Sequence, residues 1–222
     1  MQAIIETIFD TFYLVTVIRI GIIMICKGHK NKQYLLFGIM AITLGTGDAF
    51  HLIPRAYALC TTGLEDYVYV LGVGKFITSI TMTVFYILLY YVWKNRYQVK
   101  NTAVLTSSVY ILSAIRIILS LFPQNGWILS NSSLSWGIYR NLPFAALGVL
   151  IIVLFYSKVK ENNDYSYRFM WLTIVLSFVF YIPVVLFAHV IPLIGVLMIP
   201  KTCAYIWTIF IGYNDMKNNI KN

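Results

Sequence analysis

Charge is scarce in this chain: of 222 residues only 11% are Asp, Glu, Lys or Arg, against 59% hydrophobic. Ordinary soluble domains carry about 25% charged residues, and with a mean hydropathy of +0.76 the composition excludes a soluble globular fold. Cysteine and histidine are scarce too. Cys26, Cys60 and Cys203 show no CxxC or metal-type spacing, which leaves no zinc-ribbon or dithiol redox motif. With His29, His51 and His189 as the whole histidine complement, and His29 in a polar loop, a three-histidine zinc site is excluded. A His51, His189 and Asp48 set is the remaining metal alternative; no metal and no cofactor are expected. Strand-like alternation is missing, which excludes a β-barrel, and so are low-complexity tracts. The leading MQAIIETIFD lacks a basic n-region and carries Glu6 and Asp10, so it is expected to be a retained helix and not a cleaved signal.

What is present is a series of apolar runs, each near the roughly 20 residues that cross a hydrocarbon core. Polar breaks delimit spans near 3–26, 34–53, 67–93, 103–122, 138–157, 169–189 and 191–213. The expected fold is all-α, a seven-transmembrane-helix bundle forming one domain over residues 1–222. Between the last two spans only AHVIPLIG offers a turn, with Pro192 suited to a first helical position.

The formal charge of +9 is parcelled out between apolar segments, so topology and not nucleic-acid binding is its expected origin. KGHKNK (27–32), KNRYQVK (94–100), SKVKENNDYSYR (157–168) and the tail NDMKNNIKN (214–222) hold eleven of the seventeen Lys and Arg residues. Basic loops stay in the cytoplasm. The N-terminus is therefore expected outside and the C-terminus inside, in a plasma or bacterial inner membrane. Asn131-Ser132-Ser133 has the form of a glycosylation sequon in an outer loop, and a plain polar loop is the simpler reading.

Removing the loops leaves Arg19, Lys75, Arg116 and Lys201 inside spans, with Asp48, His51, Arg55, Arg140 and His189 near outer ends. An ionisable residue at mid-bilayer costs about 2.5–3.5 kcal/mol on insertion scales and normally faces the bundle interior. Helical spacing aligns Glu6, Asp10 and Tyr13; Leu44, Asp48, His51 and Arg55; Lys75, Thr78, Ser79 and Met82; Ser113, Arg116 and Ser120; and Lys201, Tyr205 and Thr208. Five polar stripes are expected to converge on a cavity. Asp48 and His51 form a candidate hydrogen-bonded pair, Lys75, Arg116 and Lys201 candidate anion-holding bases, and Tyr13, Tyr181 and Tyr205 candidate liners. Pro54 is expected to mark the exit of the second span, and Pro200 a mid-helix kink beside Lys201. The competing expectation is that these charges pair only with each other, with Arg19 structural and Arg55 and Arg140 reaching to headgroups.

Three functions fit these residues. The first is binding of a small anionic or lipid-like molecule in an outward-facing cavity, as in a receptor, sensor or transport-like protein. The second is a membrane-embedded hydrolase in which Asp48 or His51 is the acid or base. The third is a photoreceptor with retinal on Lys201, since KTCAY is similar to the KT-x-A-x-Y run around the opsin lysine, although Leu197 stands one turn earlier where microbial rhodopsins carry aspartate. For the second, FGIMAITLGTGDAFHLIPRAY resembles the G-x(n)-S-x-x-GD-x(n)-P stretch of the lysoplasmalogenase-like (YhhN) membrane protein family, with Asp48 on its aspartate. The last span, PLIGVLMIPKTCAYIWTIFIGY, is similar to that family's final helix. The two segments cover about a fifth of the chain. The resemblance implies hydrolysis of a lysoplasmalogen vinyl ether with Asp48 as acid or base. That family has eight spans and a second aspartate absent from LSFVFYIPVV here, so only Asp48 carries over.

Overall fold

The computed structural model describes residues 2–129 and 133–221, and it is helical with no strand among them. Its helices are α1 (Gln2–Gly28), α2 (Lys32–Cys60), α3 (Val68–Arg96), α4 (Ala103–Leu121), α5 (Leu134–Asn162), α6 (Met170–Phe187) and α7 (Met198–Lys221). Short 3-10 turns occupy Leu64–Tyr67, Pro123–Asn125 and Pro192–Leu197. Among the described residues, seven helices are long and apolar enough to cross a membrane. Ile4, Ile8, Phe12 and Val15 on α1, and Leu142, Val149 and Val153 on α5, are exposed, which is stable for a surface bathed by lipid. Of the proposed sequon, Asn131 and Ser132 lie outside the described residues.

Two boundaries differ from the sequence expectation. Helix α2 continues through Pro54 to Cys60 instead of ending at residue 53. A proline inside a helix frees the carbonyl four residues earlier, here that of Phe50, and this carbonyl faces Gly74 of α3 so closely that an added Cβ would collide with it. The neighbouring helix thus makes room for the interruption. Pro200, expected in mid-helix, lies in the first turn of α7, where its missing N–H would have had no helical partner anyway. The chain breaks instead at the 3-10 turn Pro192–Leu197, with Pro192 at its start.

Glycines set the approach of the first three helices within this chain. Gly45 meets Ile18 of α1, and Gly47 meets Thr81 of α3. Because the atoms that a Cβ on Gly74 would strike are backbone atoms of Phe50 and His51, they cannot swing away as a side chain can. Gly74→Ala is therefore expected to cost about 1–3 kcal/mol, the usual penalty of overpacking, read as a lower unfolding temperature in detergent.

The end of the bundle carrying the basic loops is sealed by a polar network. Arg96, at the end of α3, forks onto Asp164 at 2.9 and 3.0 Å and reaches Asp215 of α7 at 3.1 Å. Tyr97 donates to Asp164, Tyr34 to Asp215 and Gln33 to Tyr167. Burial, reinforced by the neighbouring carboxylates, pushes the Tyr97 and Tyr167 phenols above the usual tyrosine range, so both stay neutral, Tyr97 donating to Asp164 and Tyr167 accepting from Gln33. Below this seal, Tyr86, Tyr90, Trp93, Phe144, Phe155 and Phe178 fill the core. Trp93 and Tyr90 satisfy their polar atoms on Leu154 and Thr106, as buried aromatic donors must. The opposite end is left to carry a cavity.

Candidate functional site

The cavity encloses about 320 Å³ and is walled by α2, α3, α4, α5, α6, α7 and the loop after α4. Its lining includes Lys75, Arg116, Arg140 and Lys201 together with His51, and no carboxylate among the described residues. Local sequence explains the placement. On α3 the i, i+3, i+4, i+7 positions Lys75, Thr78, Ser79 and Met82 all line it. Lys201 and Tyr205, one turn apart, do the same from α7, and Arg116 projects from α4 between the buried Ser113 and Ser120.

The described part of the loop after α4 adds to the wall. Asn125 donates to the carbonyls of Leu119 and Phe122, and Trp127 to that of Ser120, so side chains satisfy the last acceptors of α4. Gly72 of α3 is bare where the Trp127 carbonyl presses against it. Trp127 and Leu129 then form part of the lining. Arg140 donates to Asn125 at 2.8 Å and lies 4.1 Å over the Trp127 ring, tying α5 to this loop.

Arg116, Arg140 and Lys201 rest on aromatic faces instead of on acids. Arg116, only 3% exposed, has its guanidinium carbon 3.2 Å from the Phe144 ring centre. The Lys201 ammonium is 4.8 Å from Tyr181 and 5.5 Å from Tyr205. Such contacts contribute about 0.5–2 kcal/mol each, less than a desolvated cation needs. Among the described residues, the ion pairs are Arg55–Glu6, Arg96–Asp164, Arg96–Asp215 and Lys158–Glu161, so none of the four cavity bases is in one. Arg116 Nε and Nη1, His51 Nδ1 and Ser113 Oγ are buried without any hydrogen-bond partner. Buried polar groups are paired in nearly all proteins, and this cluster of exceptions lies in or beside the cavity.

Several expected residues fall elsewhere. Asp48 does not line the cavity; its carboxylate accepts a 2.6 Å hydrogen bond from the fully buried Tyr13 of α1. The Asp48–His51 hydrogen bond is therefore not formed, because the aspartate turns to α1 while His51 turns to the cavity. Arg55 leaves the α2 stripe for a 2.9 Å bridge to Glu6. Arg19 is exposed on the lipid-facing side of α1, away from the convergence. Among the described residues no three His, Cys, Asp or Glu side chains gather as a metal site, which removes the His51, His189 and Asp48 set. Arg140 and Trp127 are additions. Arg140 was expected at the headgroups; it stands one turn before Phe144 on the same face of α5, the one local signal that could have turned it inward.

No protein-family model matches the chain, and no curated protein or solved structure matches it.

Proposed function

We propose that this chain is a multi-pass membrane protein that binds a small anionic or lipid-like molecule in the basic cavity between its helices, with receptor, sensor or transport-like action. The observation that carries the reading is the set of four cavity bases without an acidic partner, together with the unpaired donors of Arg116. Guanidinium and ammonium donors around one space form charge-assisted bonds to phosphate or carboxylate oxygens. An anion entering here supplies the missing partners, so binding replaces an electrostatic penalty with bonds. The positive-inside pattern supports a cell-membrane location with this cavity toward the outer face and the Arg96 seal toward the cytoplasm.

Native mass spectrometry of gently extracted protein tests this reading. The wild type is expected to retain an anionic adduct that Lys75→Ala and Lys201→Ala lose; wild type without an adduct, even after addition of phosphate, contradicts it. The unpaired His51 Nδ1 at the cavity wall favours one second reading, a hydrolase with His51 as base and Asp48 holding Tyr13. Incubation with mixed lysophospholipids separates the two, since the binding reading predicts unchanged lipids.

A further inference from the structure

We infer that the molecule held in the basic cavity is a single-chain amphiphile with a phosphate monoester head, its chain lying between α5 and α6. This inference rests on the anion-binding reading above. A second, apolar groove of about 200 Å³ lies between those helices, and Phe144 and Tyr181 line both it and the basic cavity. The two spaces thus have these two side chains as a common wall. Ile138, Leu142 and Ala145 on one wall and Phe178, Ile182 and Val185 on the other repeat at helical spacing. The groove therefore runs along the helix axes for roughly 10 Å.

Its outer edge is open to lipid: Ile138, Leu142 and Ile182 are 38%, 69% and 45% exposed. A chain already in the bilayer can enter sideways, while its head slides inward past the hydrogen bond of Tyr181 to Asn141, 3.0 Å long. The charge of the cavity selects the head. Four bases in one lining are better neutralised by a dianionic phosphate ester than by a single carboxylate, and the two arginines offer forked donors suited to phosphate oxygens. A zwitterionic head would bring a trimethylammonium or ammonium group among like charges.

The test compares octyl phosphate, inorganic phosphate, octanoate and octylphosphocholine as ligands of the purified full chain, each below its micellar concentration. Each methylene moved from water into an apolar site tightens binding about fourfold. Octyl phosphate is therefore expected to bind at least tenfold more tightly than inorganic phosphate, and more tightly than the other two octyl compounds. In Ala145→Trp the ratio between octyl phosphate and inorganic phosphate should fall within twofold. A photoreactive group at the chain terminus should label α5 and α6 in the wild type, a readout that does not depend on the variant folding. Equal binding of octyl phosphate and inorganic phosphate, labelling confined to other helices, or tighter binding of octanoate or octylphosphocholine overturns the inference while leaving anion binding standing. Failure of all four compounds to bind overturns the inference and the reading beneath it.

Discussion

Arg116→Met is expected to stabilise the ligand-free protein by about 1–3 kcal/mol and to weaken phosphate binding at least tenfold. The first figure is the ordinary penalty of a buried donor without an acceptor, and Arg116 buries two such nitrogens, Nε and Nη1. Methionine keeps much of the arginine stem volume and adapts to the Phe144 face that the guanidinium now covers. The second figure follows from losing one charge-assisted contact, about 1.5–3 kcal/mol. A gain in stability coupled to a loss of binding is the mark of a residue kept for a site at the expense of the fold. Unfolding temperature in detergent, with and without phosphate, reads both changes. A clear loss of stability without ligand would show that Arg116 supports the bundle instead.

The opposite sign is expected at the half-buried Arg96. Arg96→Ala should destabilise the protein by about 3–5 kcal/mol, the cost of removing one partner from a buried ionic cluster. The side chains of Asp164 and Asp215 are only 9% and 2% exposed, so both carboxylates would be left with too few donors. The cluster also joins α3, the loop before α6, and α7, so its loss should loosen three segments at once. Arg96→Lys should recover part of the stability, since the ammonium keeps the charge but cannot reproduce the fork onto Asp164. Unfolding temperatures of the three proteins check the order wild type, Lys, Ala; an Ala variant as stable as the wild type would show the network to be energetically idle.

The difference between these two arginines marks how far the sequence alone can be read. The seven spans were legible because apolar runs of membrane length are set by local composition. The inward faces of α3, α4 and α7 were legible because Lys75–Met82, Arg116 and Lys201–Tyr205 follow helical periodicity. Partnership was not legible. The same spacing that put Asp48 and His51 on one stripe could not show that Tyr13, thirty-five residues away, takes the Asp48 carboxylate. Nor could it show that Glu6 claims Arg55. Pro54 reads as a helix exit in isolation, and only Gly74 on the facing helix explains why α2 runs through it. Arg140 was read with the membrane interface because its role depends on Asn125 and Trp127, which lie in a loop without periodicity.

The most direct test of the central claim is a thermal-denaturation titration of wild-type protein with inorganic phosphate, matched against chloride at equal ionic strength. A ligand that binds only the folded state stabilises it by about 2.7 kcal/mol at a hundredfold excess over its Kd. The account predicts a saturable rise in unfolding temperature for the wild type, reduced in Lys75→Ala and in Arg116→Met. An unfolding temperature that does not respond to phosphate, or one that rises equally in all three proteins, would contradict it.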